Sequence, residues 1–198
     1  MTLFYFFRYE WSDWLTPLVL YEQTKRRFDT LFYIAFQDTI IEAKLDNEEV
    51  TSMQFTDPKT VLKMYVNGEL WLAPPQVWEI AAMANLAKFD DLKTFAINRE
   101  KFGCESRLPV LKFCSDGMFS LYPGDDLYPS NPDYEGTEEV TEKAEDSVND
   151  AKFETKNQNR MVQIGLHGST IKVNVKEPFG HLAPIDFRLQ DNLGSSKI

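Results

Sequence analysis

An Asp-Gly pair between two apolar runs constrains the fold of this chain more than any other feature. Asp116-Gly117 lies between Leu108–Phe113 and Met118–Tyr122. Asp-Gly favours tight turns that need positive φ, the geometry that joins two antiparallel strands. The pair predicts a hairpin, with Pro123-Gly124-Asp125-Asp126 closing the unit. A second hairpin is predicted downstream. Met161–Leu166 and Thr170–Val175 alternate apolar and polar residues, with His167-Gly168-Ser169 between them.

The first half of the chain mixes extended and helical signals. Trp11–Leu20 is an extended apolar run, Glu22–Arg27 a charged turn, and Phe28–Phe36 an aromatic-rich run. Such a run suits a strand buried on both faces, and the two segments predict a hairpin around the basic turn. Val50–Phe55 alternates like a half-buried strand. Asp57-Pro58 is a helix start, an N-cap side chain followed by a proline at the first helical position. That helix should run through Val61, Leu62 and Tyr65 and stop at Asn67-Gly68. A second helix is expected after Pro74-Pro75, with Val77, Ile80, Ala81, Ala84 and Leu86 near helical spacing. A third is expected after Asp90-Asp91.

Charge and composition narrow the class. Hydrophobic residues make up 43% of the 198 residues and aromatics 14%, enough for a packed core. The formal net charge is −10, which opposes broad nucleic-acid binding, since phosphates need basic surface. No stretch reaches the roughly 20 apolar residues of a membrane-spanning helix. Much of the acidity lies between Pro129 and Asn159, read as a solvated, flexible insert. The chain after Pro184 reads as a poorly ordered tail. Cys104 and Cys114 are expected to be reduced, and their spacing to His167 and His181 fits no zinc finger.

Three blocks, in order, carry a family resemblance. They are Trp11-Ser12-Asp13-Trp14-Leu15-Thr16-Pro17 with Arg26-Arg27-Phe28-Asp29-Thr30-Leu31-Phe32, then Glu69-Leu70-Trp71-Leu72-Ala73-Pro74-Pro75-Gln76, then Asp116-Gly117-Met118 with Leu121-Tyr122-Pro123-Gly124-Asp125-Asp126-Leu127-Tyr128. From Trp11 to Pro184 the chain resembles the C-terminal part of the motif-19 Nudix hydrolases, the acyl-coenzyme A diphosphatase type. The resemblance implies an α+β fold, a partial Nudix α/β/α sandwich with a mixed sheet, C-terminal helices and an additional β-hairpin. It implies hydrolysis of the diphosphate of coenzyme A (CoA) and acyl-CoA to 3′,5′-ADP and (acyl)phosphopantetheine, with Mg²⁺ or Mn²⁺, in peroxisomes. The implied division is a partial Nudix-like domain over 1–128, the acidic insert over 129–159, a C-terminal hairpin over 160–184 packed on the domain, and a tail over 185–198.

Nudix chemistry rests on G-x₅-E-x₇-R-E-U-x-E-E-x-G-U, where U is aliphatic. One helix aims several carboxylates at a divalent cation, which neutralises diphosphate oxygens and activates water. Arg99-Glu100 is the sole Arg-Glu pair, and the next two acids fall at Gly103 and Cys104. Glu138-Glu139-Val140-Thr141-Glu142-Lys143 imitates the motif, but Glu138 replaces its arginine and Lys143 its final glutamate. The expectation is a truncated family member, inactive as this chain, with no catalytic residue and no bound metal. The alternative is a non-catalytic module that binds CoA esters or a protein partner. A shortened domain would expose a sheet edge, so self-association is expected.

Candidate substrate-binding residues are Lys25, Arg26, Arg27, Trp71, Pro74 and Pro75. The basic triplet is either a cationic lip for CoA phosphates or a solvated turn. The Trp71-Pro74-Pro75 cluster, with Trp78, either flanks an adenine or acyl group or packs at a loop–helix junction. Glu48-Glu49 reads as surface acids in the absence of a metal. The chain ends Ser196-Lys197-Ile198, close to the Ser-Lys-Leu import signal, so a peroxisomal address is expected.

Overall fold

The computed structural model describes residues 5–12, 27–34, 36, 55–86, 88–103, 106–135, 145–164 and 168–187. Strand β1 (Tyr5–Ser12) pairs antiparallel with β2 (Arg27–Ile34), Tyr5 opposite Ile34 and Ser12 opposite Arg27. The expected hairpin therefore forms with its first strand earlier than Trp11–Leu20. The aromatic residues of Tyr5–Ser12 supply the β-forming run. The two-residue strand β3 (Ser106–Arg107) joins the other side of β1 in parallel, so this small sheet is mixed.

Three helices lie between those strands in sequence. In α1 (Pro58–Val66) the Asp57 carboxylate accepts from the backbone N–H groups of Lys59 and Thr60, at 3.0 and 3.1 Å. Helix α2 (Pro74–Met83) begins at the two prolines themselves, because a missing N–H costs nothing in a first helical turn. Helix α3 (Phe89–Arg99) begins at Lys88, and Asp90 and Asp91 occupy its first turn, where negative charge complements the helix dipole.

The second sheet is antiparallel in the order β4 (Val110–Phe113), β5 (Met118–Leu121), β6 (Asn159–Gln163), β7 (Ser169–Val173). Both sequence-predicted downstream hairpins are present. Alternation along the strands separates two apolar clusters. Tyr122, Met161 and Ile171 pack with Leu62, Tyr65, Val77, Trp78, Ala81 and Ala96 from the helices. Phe119, Leu121 and Val162 face the other way and pack with Val148 and Phe153. Phe32 and Ile34 of β2 pack on the helical cluster, tying the small sheet to the core. The described residues thus have α+β architecture.

Two expectations drawn from composition need correction. Residues 145–159, read as part of a flexible acidic insert, cover the second face of the four-stranded sheet. Asp116 accepts from Ser147 Oγ at 2.6 Å and Val148 N–H at 2.8 Å. Phe153 meets Phe119 edge-on at 5.1 Å between ring centroids. Two apolar side chains among many charges are enough to anchor the segment. Nor does order end at Pro184: Ile185 N–H donates to Ala81 carbonyl at 3.1 Å, and Phe187 is buried against Tyr65. Among the described residues, no helix is long and apolar enough to cross a membrane.

Candidate functional site

Helices α2 and α3, with Ile34 of β2, line a narrow cleft. Its walls are Ile34, Ala82, Met83, Leu92, Phe95 and Leu182, with Glu79 and His181 as the polar members. The free volume is about 10 Å³, the room of a single water. Glu79 reaches this place through helical phase. Trp78 and Ala81 turn into the core, and Glu79, one step from Trp78, turns toward α3 and is only 6% exposed. The Gln76 side-chain oxygen fixes the start of α2 by accepting from Ala73 N–H at 2.9 Å.

His181 closes the cleft and is held from behind by Arg99. The Arg99 guanidinium lies along the imidazole, Nη2 at 2.5 Å from Nε2 and Nε at 3.4 Å from Nδ1, and Nη1 donates to Gly103 carbonyl at 3.0 Å. An arginine offers only donors, so a hydrogen bond between the two needs an acceptor nitrogen on the imidazole.

A second buried polar group is centred on β3. Arg107 of β3 forms an ion pair with Glu177, both shut off from solvent. Its guanidinium lies over the Tyr122 ring, which stacks on Trp78 at 3.9 Å between centroids. Burial pushes the Tyr122 phenol far above its usual pKa. Arg107 opposes that rise, and Glu79 and Glu177 add to it. Tyr122 OH, Trp78 Nε1 and Glu177 Oε1 find no hydrogen-bond partner among the described residues.

Of the candidate residues named from sequence, Trp71, Pro74 and Pro75 lie within the described residues, and Arg27 by its backbone alone. Pro74 and Pro75 are buried in the first turn of α2, and Trp71 is 43% exposed. The three do not present one stacking face. Arg27 ends β2 with its backbone opposite Ser12. Lys25, Arg26, Glu48, Glu49, Glu138–Lys143, His167 and Ser196-Lys197-Ile198 lie outside the described residues, as does Cys104. Cys114 is a free, half-buried thiol. Sequence reading missed Glu79, Arg99 and His181 as a group. The one local signal was Glu79 itself, a carboxylate set between Trp78 and Ile80 on a strongly apolar helix.

Two side chains of the metal-ligating types, Glu79 and His181, line the cleft. Among the described residues, no three His, Cys, Asp or Glu side chains converge on a point. In the Arg99-Glu100 pair, Arg99 turns inward to His181 and Glu100 is exposed. The lining of the cleft is apolar but for one carboxylate and one imidazole, and as it stands it has room for a single water.

Comparison with known proteins gives consistent matches. A family model described as the NUDT19 Nudix domain matches residues 6–83, which span β1, β2, α1 and α2. Another, described as the NUDT19 C-terminal domain, matches residues 112–174, the end of β4 through β7. The chain is 34% identical over 177 residues to the protein of Gallus gallus named acyl-coenzyme A diphosphatase NUDT19, covering 89% of this chain and 47% of that protein. The proteins of the same name from Xenopus laevis and Homo sapiens are each 34% identical over 176 residues, covering 89% of this chain and 46% of theirs. The chain spans about half the length of the curated relatives it matches. No solved structure matches it.

Proposed function

Because the chain belongs to the NUDT19 family of Nudix proteins, we propose that it binds CoA and acyl-CoA as the substrate-side part of a diphosphatase and does not cleave them by itself. The observation that carries this reading is the pairing of two facts. Its likeness runs over 89% of the chain to proteins named acyl-CoA diphosphatases, and its sequence contains no carboxylate helix of the Nudix pattern. Mg²⁺ or Mn²⁺, when bound to such a helix, polarises the diphosphate and supplies an activated water. The residues of this chain then have the task of holding the rest of the ester. The mixed β2–β1–β3 sheet and the packed helices support a reading of the fold as part of an α/β/α Nudix sandwich. The Ser196-Lys197-Ile198 terminus supports a peroxisomal address, tested by the location of a fluorescent fusion with and without those residues.

The test is to incubate the purified chain with CoA and Mg²⁺ or Mn²⁺, following 3′,5′-ADP, and to measure CoA binding by calorimetry in the same buffer. Binding without product is expected. Metal-dependent 3′,5′-ADP would overturn the non-catalytic half of the reading, and absence of binding the substrate-side half. The end strands β4 and β7 of the second sheet support the expectation of self-association. A clean monomer by light scattering would contradict it.

A further inference from the structure

The cleft between α2 and α3 is covered by a strap that is anchored at both ends and strained near its start. At one end Glu177 pairs with buried Arg107. At the other, Ile185 N–H donates to Ala81 carbonyl and Phe187 packs on Tyr65. Residues 178–184 cross between these anchors and carry His181 and Leu182 over the cleft. Side chains tie the crossing to the helices: Arg99 contacts His181, and the exposed Asn85 amide donates to Ala183 carbonyl at 3.1 Å.

Among the described residues, the one non-glycine residue with positive φ lies in the strap. Phe179 has φ 52° and ψ 27°, a left-handed conformation for a bulky side chain that is itself 52% exposed. Gly180 follows at φ 71°. Its neighbour is the Phe102 ring, 3.0 Å from where a Cβ would stand. A non-glycine residue holds such a conformation only where its surroundings enforce it, and such residues gather at ligand clamps and switches. Two successive left-handed residues beside a fixed anchor make a ready hinge.

We propose that residues 178–184 are a gate, latched by His181 on Arg99, over a pocket for a straight apolar chain such as an acyl tail. The inference deepens the reading of this chain as an acyl-CoA binder and rests on it for the identity of the tail. The closed cleft admits one water, so any larger guest requires the strap to lift. When it lifts, Leu182 and His181 leave and the apolar walls formed by Ile34, Ala82, Met83, Leu92 and Phe95 open to the guest. Glu79 stays on α2 as a polar member of the wall.

The test locks the strap. An Asn85→Cys, Ala183→Cys variant, with Cys104→Ser and Cys114→Ser to remove competing thiols, is oxidised with copper-phenanthroline and then reduced with dithiothreitol. Uptake of N-dodecyl-dansylamide, an uncharged fluorophore with a straight alkyl tail, is titrated in both states. Oxidation should weaken uptake at least tenfold, and reduction should restore it on the same sample. His181→Ala, which removes the latch, should accelerate uptake severalfold. Equal uptake in the locked and reduced forms, or none in either, would overturn the gate. Because the probe contains no CoA, failure of CoA binding with strap-dependent probe uptake would count against the acyl-CoA reading alone.

Discussion

Arg160 and Asp125 meet in a two-pronged ion pair that solvent does not reach. Nε and Nη2 of the guanidinium each lie 2.6 Å from a carboxylate oxygen, and the side chains are 1% and 0% exposed. The remaining capacity of both groups is used locally. Arg160 also donates to Phe153 carbonyl and Thr155 Oγ1, and Asp125 accepts from the backbone N–H groups of Leu127 and Asn159. The pair thereby joins β6, the turn after β5 and the segment that covers the sheet.

Removing one partner should therefore be severe. Asp125→Ala leaves a buried guanidinium without its counter-charge, and we expect a loss of about 3–5 kcal/mol in urea denaturation. Asp125→Asn, which keeps acceptor and shape, should lose less. If Asp125→Ala unfolds at the same urea concentration as the parent, the pair is not a structural tie.

The N-cap of α1 gives a milder and pH-dependent prediction. Asp57→Ala should cost about 1 kcal/mol, and Asp57→Ser should recover most of it. The Thr60 hydroxyl, 2.6 Å away, is the main cause holding the Asp57 carboxyl below its ordinary value of 3.8. A depressed folded-state pKa means that the contribution is complete above the unfolded value and is lost as pH falls through the folded one. Asp57→Asn keeps a cap that does not titrate. The stability difference between parent and Asp57→Asn should shrink as pH drops below 3.8 and stay constant above about pH 5. A difference that is flat through the acid range would exclude the cap as its source.

The Trp78–Tyr122 stack separates packing from hydrogen bonding. Trp78 is fully buried, so Trp78→Ala should cost about 3–5 kcal/mol. The Tyr122 hydroxyl has no partner among the described residues, so Tyr122→Phe keeps the ring and discards a buried polar atom. That change should be neutral or slightly stabilising in thermal melts. A large destabilisation by Tyr122→Phe would mean that the hydroxyl is satisfied in solution by a bound water.

What could be read in advance was local. Asp57-Pro58 and Asp116-Gly117 act on neighbours within a few residues, so a helix start and a hairpin were visible in the sequence. The family blocks were visible for the same reason. The tie between Arg160 and Asp125 spans two strands and has no sequence spacing to announce it. Val148 and Phe153 were lost in an acidic stretch whose average charge suggested solvent exposure, although two apolar residues decide where it lies. Glu79, Arg99 and His181 come from two helices and a strap, and only tertiary packing brings them to one cleft. Pro74 and Pro75 open α2, and a first helical turn suits proline.

The Asp116-Gly117 hairpin offers the sharpest local test. A Cβ on Gly117 would stand 2.3 Å from the backbone carbonyl oxygen of Gln163 and 3.2 Å from Val148 Cγ1. The oxygen belongs to β6, whose Gln163 lies opposite Met118, so it cannot retreat without shifting the strand pairing. Gly117→Ala should cost about 1–3 kcal/mol, as overpacking in a close-packed region does. The damage should be local first. Cys114 N–H donates to Gly117 carbonyl at 2.8 Å and Ser115 N–H to Asp146 carbonyl at 2.9 Å. Amide hydrogen exchange at Cys114, Ser115 and Val148 should therefore quicken in the variant, while the amides of α1 and α2 keep their relative protection. Uniform acceleration across the chain would instead make the turn part of one global cooperative unit. Unchanged exchange at all of these positions would mean that β6 yields to the methyl group more easily than its pairing implies.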